Sequence, residues 1–167
     1  MKQLSFFKNK TVINGEHKSC AFTGHRVLGE DFSARNLKKE VEKFILSGVD
    51  TFYNGMAMGF DMVAAEIVLS LKKKYNYIKL IACIPCLNQE KYFDSAHKEK
   101  YANLLKQADE QVLLSENDHP GCMQKRDRYM VDHADYLMTY CRKEDGGTAY
   151  TVKYFIKTKN EENIIYL

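Results

Sequence analysis

The chain has 167 residues, of which 45% are hydrophobic and 28% charged, as expected of a globular protein with one sizeable core. Its 25 basic and 22 acidic residues leave a formal net charge of +3, which argues against a protein whose main task is to grip a DNA backbone. The first residues lack the apolar core of a signal peptide, and no apolar run reaches the roughly 18 residues of a membrane span. The number of cysteines is odd, which favours reduced thiols over a set of disulfides. We therefore expect a cytoplasmic protein with no membrane partner.

The N-terminal segment is polar, and its Asn14-Gly15 dipeptide is typical of a small hairpin or turn. We therefore expect residues 1–17 to form an N-terminal extension or hairpin. One domain should follow over residues 18–167, because no linker composition, internal repeat or low-complexity tract interrupts it.

Strand-like and helix-like runs alternate from residue 18 onward. The apolar runs predict strands at residues 19–23, 49–53, 78–83, 111–114, 136–140 and 163–166. Apolar residues at helical spacing and helix-boundary signals predict helices at residues 33–47, 60–75, 90–108, 121–133 and 148–157. Such alternation through short connections implies right-handed βαβ units and a mainly parallel sheet covered on both faces. The predicted fold is therefore an α/β, Rossmann-like, three-layer αβα domain.

Three of the predicted strands run into small-residue turns that lead toward a helix. These turns are Thr23-Gly24-His25-Arg26, Gly55-Met56-Ala57-Met58-Gly59-Phe60-Asp61 and Gly146-Gly147-Thr148. In a parallel sheet such turns gather where the carboxyl ends of the strands meet helix N-termini. Free N–H groups and the positive end of the helix dipole then favour an anion, often a phosphate. The sequence therefore predicts one pocket at this edge.

Individual residues of the turns suggest particular roles. Gly55 and Gly59 permit unusual backbone angles and the close approach of a ligand. Asp61 could cap its helix or bind a ribose hydroxyl, and Arg26 could bind a phosphate or carboxylate through paired hydrogen bonds. Each turn alone is also compatible with an ordinary capped helix start. Because the glycines do not form a G-x-G-x-x-G pattern, NAD binding of the usual dehydrogenase kind is not indicated.

The Cys83-Ile84-Pro85-Cys86 segment is compatible with a thioredoxin-like redox pair or with buried cysteines. Cys83 has the position of a strand residue, and no helix follows Cys86 directly, so we interpret Cys83 as core and Pro85 as a wall of the pocket. The histidines show no i,i+4 pair and the other cysteines are scattered. We therefore expect no metal site and no cofactor.

Arg126 lies on a predicted helix, on the same stripe as the apolar residues Met130 and Ala134. A basic, solvated helix face would account for the neighbouring cations. An arginine on an apolar stripe, however, needs a partner, and a ligand phosphate or carboxylate would serve.

These motifs resemble the SLOG superfamily, a Rossmann-like group that includes the Lonely Guy phosphoribohydrolases and the DNA-processing protein of bacterial transformation. The Thr23–Arg26 and Gly55–Asp61 turns and the ending Ala134-Asp135 with Gly146-Gly147-Thr148 look most like its small bacterial YpsA-like family. The resemblance spans roughly residues 18–167. It implies a pocket for a nucleotide or nucleotide-derived ligand at the strand ends, and it is compatible with a homo-oligomer.

The Lonely Guy enzymes carry M-x-x-R-K-x-x-M-x-x-x-A-D and then P-G-G-x-G-T-x-x-E, whose Arg and Glu serve cleavage of an N-glycosidic bond. This chain keeps the first motif except for Asp127 in place of Lys, so Arg126 matches the catalytic Arg. The second motif is shortened, and Thr151 occupies the position of the catalytic Glu. Because Thr cannot act as a carboxylate base, the same hydrolysis would need Asp61, Glu66 or Asp127 instead.

The first hypothesis is a nucleotide-binding or sensing domain for a ligand such as AMP, ADP-ribose or NAD. The second is an enzyme that cleaves a nucleoside N-glycosidic bond with Arg126 and either Asp61 or Glu66. The third is a binder of single-stranded nucleic acid, which the near-neutral charge does not favour. The candidate nucleotide-binding residues are Thr23, Gly24, His25, Arg26, Gly55, Met56, Gly59, Asp61, Pro85, Arg126, Gly146, Gly147 and Thr148.

Overall fold

The computed structural model describes residues 17–167, and within them six strands form one parallel sheet. The sheet order is β4-β3-β2-β1-β5-β6. The strands are β1 (Lys18–Gly24), β2 (Val49–Asn54), β3 (Lys79–Ile84), β4 (Glu110–Leu113), β5 (Tyr136–Tyr140) and β6 (Ile164–Tyr166). The predicted parallel α/β sheet is confirmed. The predicted extension or hairpin over residues 1–17 falls, apart from His17, outside the described residues.

Five α-helices within residues 17–167 cover the two faces of the sheet. They are α1 (Ala34–Leu46), α2 (Phe60–Lys72), α3 (Ser95–Gln107), α4 (Cys122–His133) and α5 (Gly146–Thr158). Buried residues of α1, α2 and α3 form one core cluster with the sheet, and buried residues of α4 and α5 form a second. The arrangement is the predicted three-layer αβα sandwich. None of the helices in these residues is long and apolar enough to cross a membrane.

Helix α3 begins later than the sequence predicts. A helix was expected from residue 90, but a 3-10 turn at Gln89–Tyr92 comes first and α3 begins at Ser95. The Asp94 side chain caps α3 by accepting a hydrogen bond of 3.0 Å from the His97 backbone N–H. Asn88 has left-handed backbone angles and Phe93 is extended, so neither residue can continue a helix.

The strand order changes direction at β1, and this change locates the site. From β1 the chain adds β2, β3 and β4 outward on one side, and it then returns to place β5 on the other side of β1. Thr23 and Gly24 at the end of β1 pair with Thr139 and Tyr140 at the end of β5. The connections that leave these two strands therefore diverge, and ligands of open α/β sheets bind in the crevice that results.

Two glycines allow the turns after β1 and β2 to pack closely against each other. A Cβ at Gly24 would lie 2.3 Å from the Phe60 ring, and a Cβ at Gly59 would lie 2.2 Å from the backbone oxygen of Arg26. Gly59 also has a φ of +80°, a conformation that glycine adopts without strain. The Phe60 N–H donates a 3.1 Å hydrogen bond to the His25 carbonyl. The N-terminus of α2 is therefore held against the end of β1.

Gly59→Ala should lower the free energy of unfolding by about 3 kcal/mol or more, because the new Cβ meets backbone and the positive φ becomes strained. Gly147→Ala is the matched control, since no atom lies within 4 Å of its added Cβ, and it should leave stability unchanged or raise it by up to about 1 kcal/mol. Urea denaturation measures both. Equal midpoints for the two variants would contradict this account of the turn.

Candidate functional site

A cleft of about 370 Å³ opens at the carboxyl ends of β1 and β5. This volume lies within the range of small-molecule sites. The cleft is lined by the connections that follow β1, β2 and β5 and by one side of α4. Its lining residues are Thr23, Gly24, His25, Arg26, Ala57, Asp61, Met123, Arg126, Asp127, Met130, Lys143, Asp145, Gly146, Gly147 and Thr148.

Arg126 forms the floor of the cleft and is only 6% exposed. Its Nε donates a 2.7 Å hydrogen bond to Asp127 Oδ1, and its Nη1 donates a 2.6 Å hydrogen bond to the carbonyl oxygen of Gly55. Burial by itself would lower the pKa of Arg126, but the carboxylates of Asp127 and Asp61 outweigh that effect and raise it. The Nη2 atom has only a 3.9 Å contact with the sulfur of Met123, so part of the guanidinium remains available.

Only glycine fits at position 55, because the side chains of Arg126 and Asp61 occupy the space that a Cβ would need. A Cβ at this position would lie 2.6 Å from Arg126 Nη1 and 2.9 Å from Asp61 Oδ2. Any side chain would push the guanidinium and the carboxyl away from their positions. Gly55 thus contributes its carbonyl oxygen and leaves space for Arg126 and Asp61.

Asp61 is a buried carboxyl with one unsatisfied oxygen. It is 5% exposed; its Oδ2 accepts a 3.3 Å hydrogen bond from the Ala57 N–H, and its Oδ1 has no partner. Burial raises its pKa from 3.8 to about 7, although the positive charge of Arg126 opposes the change. Asp61 can therefore gain or lose a proton near neutral pH.

Asn54, which sequence reasoning missed, holds the turn that presents Asp61. Its side-chain oxygen accepts a 2.8 Å hydrogen bond from the Met56 N–H, and its side-chain nitrogen donates a 2.7 Å hydrogen bond to the Asp61 carbonyl. Met56 has a φ of +58°, which costs free energy for a residue with a side chain. The fully buried Asn54 amide stabilises this conformation. An asparagine between the predicted strand and the glycine turn at Gly55 was the available signal.

The opposite wall of the cleft is the N-terminus of α5. Asp145 stands at the cap position but makes no side-chain hydrogen bond to the helix, and Gly147 leaves the first turn open. Thr148 and Thr23 line the cleft and are more than nine-tenths buried. Neither hydroxyl forms a hydrogen bond with another of the residues that the structure describes. Lys143, which the sequence did not single out, is exposed beside the two threonines.

His25 and Arg26 differ in role although they are adjacent. His25 Nε2 accepts a 2.7 Å hydrogen bond from the Arg142 N–H, and burial together with Lys143 and Arg142 lowers its pKa. A neutral His25 therefore fixes the loop after β5 and supplies no charge. Arg26 is exposed on the cleft, and no residue in the described part of the chain forms a hydrogen bond or ion pair with its guanidinium.

Several sequence candidates lie outside the cleft lining. Gly55 and Gly59 act from behind it, Met56 is fully buried, and Pro85 is buried after β3. Glu66 is on the exposed side of α2, where it forms a 3.0 Å ion pair with Lys100. Glu66 follows Asp61 by five residues, which turns it by about 140° around the helix and places it outside the cleft lining.

Thr151 is fully buried and uses its hydroxyl for a 2.9 Å hydrogen bond to the Gly147 carbonyl. The residue at the position of the Lonely Guy glutamate therefore helps to build α5 and does not face the cleft. Cys83 is fully buried in β3, and burial raises the pKa of its thiol to about 12. A redox pair of Cys83 and Cys86 would lack a reactive thiolate at Cys83.

The model of the YspA SLOG family matches residues 31–166 of this chain. A UPF0398 protein of Brevibacillus brevis is 29% identical over 133 residues, which make up 78% of this chain and 70% of that protein.

Two solved structures have a similar fold. DNA processing protein A (DprA) of Streptococcus pneumoniae has a TM-score of 0.64 at 17% identity; the match covers 90% of this chain but only 50% of that one. DNA processing protein A of Helicobacter pylori, whose structure is described as showing a single-stranded DNA binding mode, has a TM-score of 0.60 at 19% identity, over 89% of this chain and 64% of that one. The chain thus spans only part of each of these proteins, and the likeness concerns the fold.

The raised pKa of Asp61 predicts a distinct pH dependence of stability. The folded state binds a proton more tightly than the unfolded state, whose carboxyl titrates near pH 3.8. Between about pH 4 and pH 7 this residue therefore lowers the free energy of unfolding as pH rises. Asp61→Asn should remove this contribution, so that the variant gains stability relative to the parent across the same window.

Urea denaturation of parent and variant from pH 4.5 to 8.5 measures the difference directly, because the other titrating groups cancel. Glu116→Gln changes an exposed carboxylate outside the cleft and should give a profile parallel to that of the parent. Parallel profiles for parent and Asp61→Asn would show that the carboxyl is not desolvated as described.

Proposed function

The chain belongs to the YspA SLOG family, and on that premise we propose that its cleft binds the phosphate group of a nucleotide or nucleotide derivative. The observation that carries the proposal is a group of unpaired donors that line the cleft. Within residues 17–167, the side chains of Arg26 and Lys143 have no hydrogen-bond or ion-pair partners, and the first turn of α5 has no side-chain cap. The hydroxyls of Thr23 and Thr148 likewise form no hydrogen bond with these residues.

Phosphate is the ligand group that best matches these donors. A helix N-terminus offers backbone N–H groups and a positive dipole end, and arginine and lysine add charge-assisted hydrogen bonds. A Cβ added at Gly146 or at Gly147 would meet no atom within 4 Å. The backbone of this turn is therefore open, and an anion can approach it closely. Before a ligand binds, water must satisfy these groups.

Other lining residues of the cleft suit a nucleoside. Met123 and Met130 supply apolar surface for a base, and the carboxyls of Asp61 and Asp127 can accept hydrogen bonds from ribose hydroxyls. The cleft volume suits a mononucleotide such as AMP, whereas ADP-ribose or NAD would extend through the open side. We assign this activity to the cytosol, since all five cysteines are free thiols.

Hydrolysis of an N-glycosidic bond is the second candidate, and the carboxyl of Asp61 favours it. A group with a pKa of about 7 is suited to move a proton at neutral pH. Asp61 would either activate the water that attacks the ribose C1′ atom or protonate the departing base. Arg126 would stabilise the phosphate end of the same substrate, and Asp61 would supply the carboxylate that Thr151 cannot provide.

Isothermal calorimetry with AMP, ADP-ribose and NAD tests the binding proposal. We expect one ligand to bind and Arg26→Ala to weaken its binding about 10- to 100-fold, because charge-assisted hydrogen bonds contribute about 1.5–3 kcal/mol. Arg35→Ala removes an exposed arginine outside the cleft and should bind as the parent does.

An oligothymidylate belongs in the same panel, because the Helicobacter pylori neighbour is described as a single-stranded DNA binder. Binding of the oligonucleotide alone, with affinity that falls steeply with salt, would replace the nucleotide proposal by a nucleic-acid one. No binding by any of the four ligands, or equal binding by parent and Arg26→Ala, would contradict the proposed phosphate site.

Catalysis has a separate test. If the cleft hydrolyses nucleoside monophosphates, mass spectrometry after incubation with AMP should detect free adenine, and Asp61→Asn should slow its release by at least about 100-fold. Glu66→Gln is the matched control, because Glu66 lies outside the cleft, and it should keep the parent rate. Intact AMP after long incubation at high protein concentration would leave binding as the function.

A further inference from the structure

Two cysteines and an aspartate that are distant in the sequence meet beside the cleft. Cys86 follows β3, Asp118 lies in the connection between β4 and α4, and Cys122 is the first residue of α4. The two sulfur atoms are 4.0 Å apart, and Cys122 Sγ lies 3.6 Å from Asp118 Oδ1. These three ligand atoms all lie within 4.8 Å of one another. The expectation of scattered cysteines overlooked this group.

The separations match the edges of a tetrahedral zinc site. Zinc binds thiolate sulfur at about 2.3 Å and carboxylate oxygen at about 2.1 Å, so tetrahedral angles place two sulfurs about 3.8 Å apart and a sulfur and an oxygen about 3.6 Å apart. The distances observed are 4.0 Å and 3.6 Å. The remaining pair, Cys86 Sγ and the Asp118 carboxylate, lies within 4.8 Å, so shifts of at most about 1 Å would bring all three ligands to zinc distances.

We propose that Cys86, Cys122 and Asp118 form a binding site for Zn²⁺. Thiolate ligands favour zinc over magnesium and calcium, which prefer oxygen. Both cysteines are 2% exposed, whereas Asp118 is exposed, so the site is dry on the sulfur side and open to solvent on the other. Three protein ligands leave a fourth position, which a water molecule fills.

Lys91 orients the carboxylate in this site. Its Nζ donates a 2.7 Å hydrogen bond to Asp118 Oδ2, while Asp118 Oδ1 points to Cys122. One carboxylate oxygen is thus held by a cation and the other is directed at the metal position. Outer partners of this kind fix metal ligands and typically change affinity by 10- to 100-fold.

The site would connect two elements that the sheet alone leaves separate. Cys86 belongs to the connection after β3, and Cys122 begins the helix that carries Arg126 one turn later. A bound ion would tie the start of α4 to that connection and restrict its movement relative to the cleft. This role does not depend on which ligand the cleft binds.

Metal titration of the reduced full chain tests the proposal, with Zn²⁺ for affinity and Co²⁺ as a spectroscopic probe. We expect one Zn²⁺ per chain and intense thiolate-to-cobalt charge-transfer absorption in the parent. Cys86→Ser and Cys122→Ser should each lower the Zn²⁺ affinity by more than about 100-fold, and Asp118→Asn by about 10- to 100-fold. Cys141→Ser removes a free thiol outside the cluster and should behave as the parent.

X-ray absorption of the Zn²⁺-loaded parent gives a test that does not depend on the folding of any variant. Two sulfur and two oxygen or nitrogen neighbours support the site, whereas a shell of oxygen and nitrogen alone overturns it. Equal Zn²⁺ affinity of the parent and Cys122→Ser also overturns it. The proposal is also overturned if mass spectrometry finds a Cys86–Cys122 disulfide in the isolated protein and the same protein, once reduced, binds no Zn²⁺.

Discussion

The burial of one guanidinium is the constraint on which the cleft depends. Arg126 is almost inaccessible to solvent, so its charge must be balanced by Asp127, by the Gly55 carbonyl and by the nearby Asp61. These contacts require a position without a side chain after β2 and a helix α4 that lies against the ends of β1 and β3. The turn, the helix and the two carboxyls are therefore parts of one arrangement, and a change in any of them alters the others.

The fold and much of the cleft could be predicted from the sequence because both follow from local patterns. Apolar runs and small-residue turns locate the ends of parallel strands, and parallel strands bring those ends to one edge. For this reason Thr23, Gly24, Arg26 and Thr148 could be identified without coordinates. Arg126 could be identified because an arginine on an apolar helix stripe needs a partner. Its partners turned out to be a neighbouring side chain and a carbonyl of this chain.

Long-range proximity could not be predicted in the same way. The sulfur atoms of Cys86 and Cys122 approach to 4.0 Å across 36 residues, and no periodicity encodes that distance. The capping of α3 by Asp94 depends on a preceding 3-10 turn, so the start of that helix was predicted too early. The neutral, structural role of His25 arises from the Arg142 backbone N–H, which only the folded loop brings near.

In the proposed complex, a ligand that contacts Asp61 would couple its binding to proton binding, and the direction of that coupling would depend on the chemistry of the ligand. Its Oδ1 has no partner, and its pKa is raised to about 7. A ligand hydroxyl that donates to Oδ1 stabilises the carboxylate, so its affinity increases as the pH rises to about 7. A phosphate or carbonyl oxygen can only accept a hydrogen bond, so it prefers the protonated carboxyl and loses affinity above that pH. The sign of the pH dependence therefore distinguishes a ribose hydroxyl against Asp61 from a phosphate there.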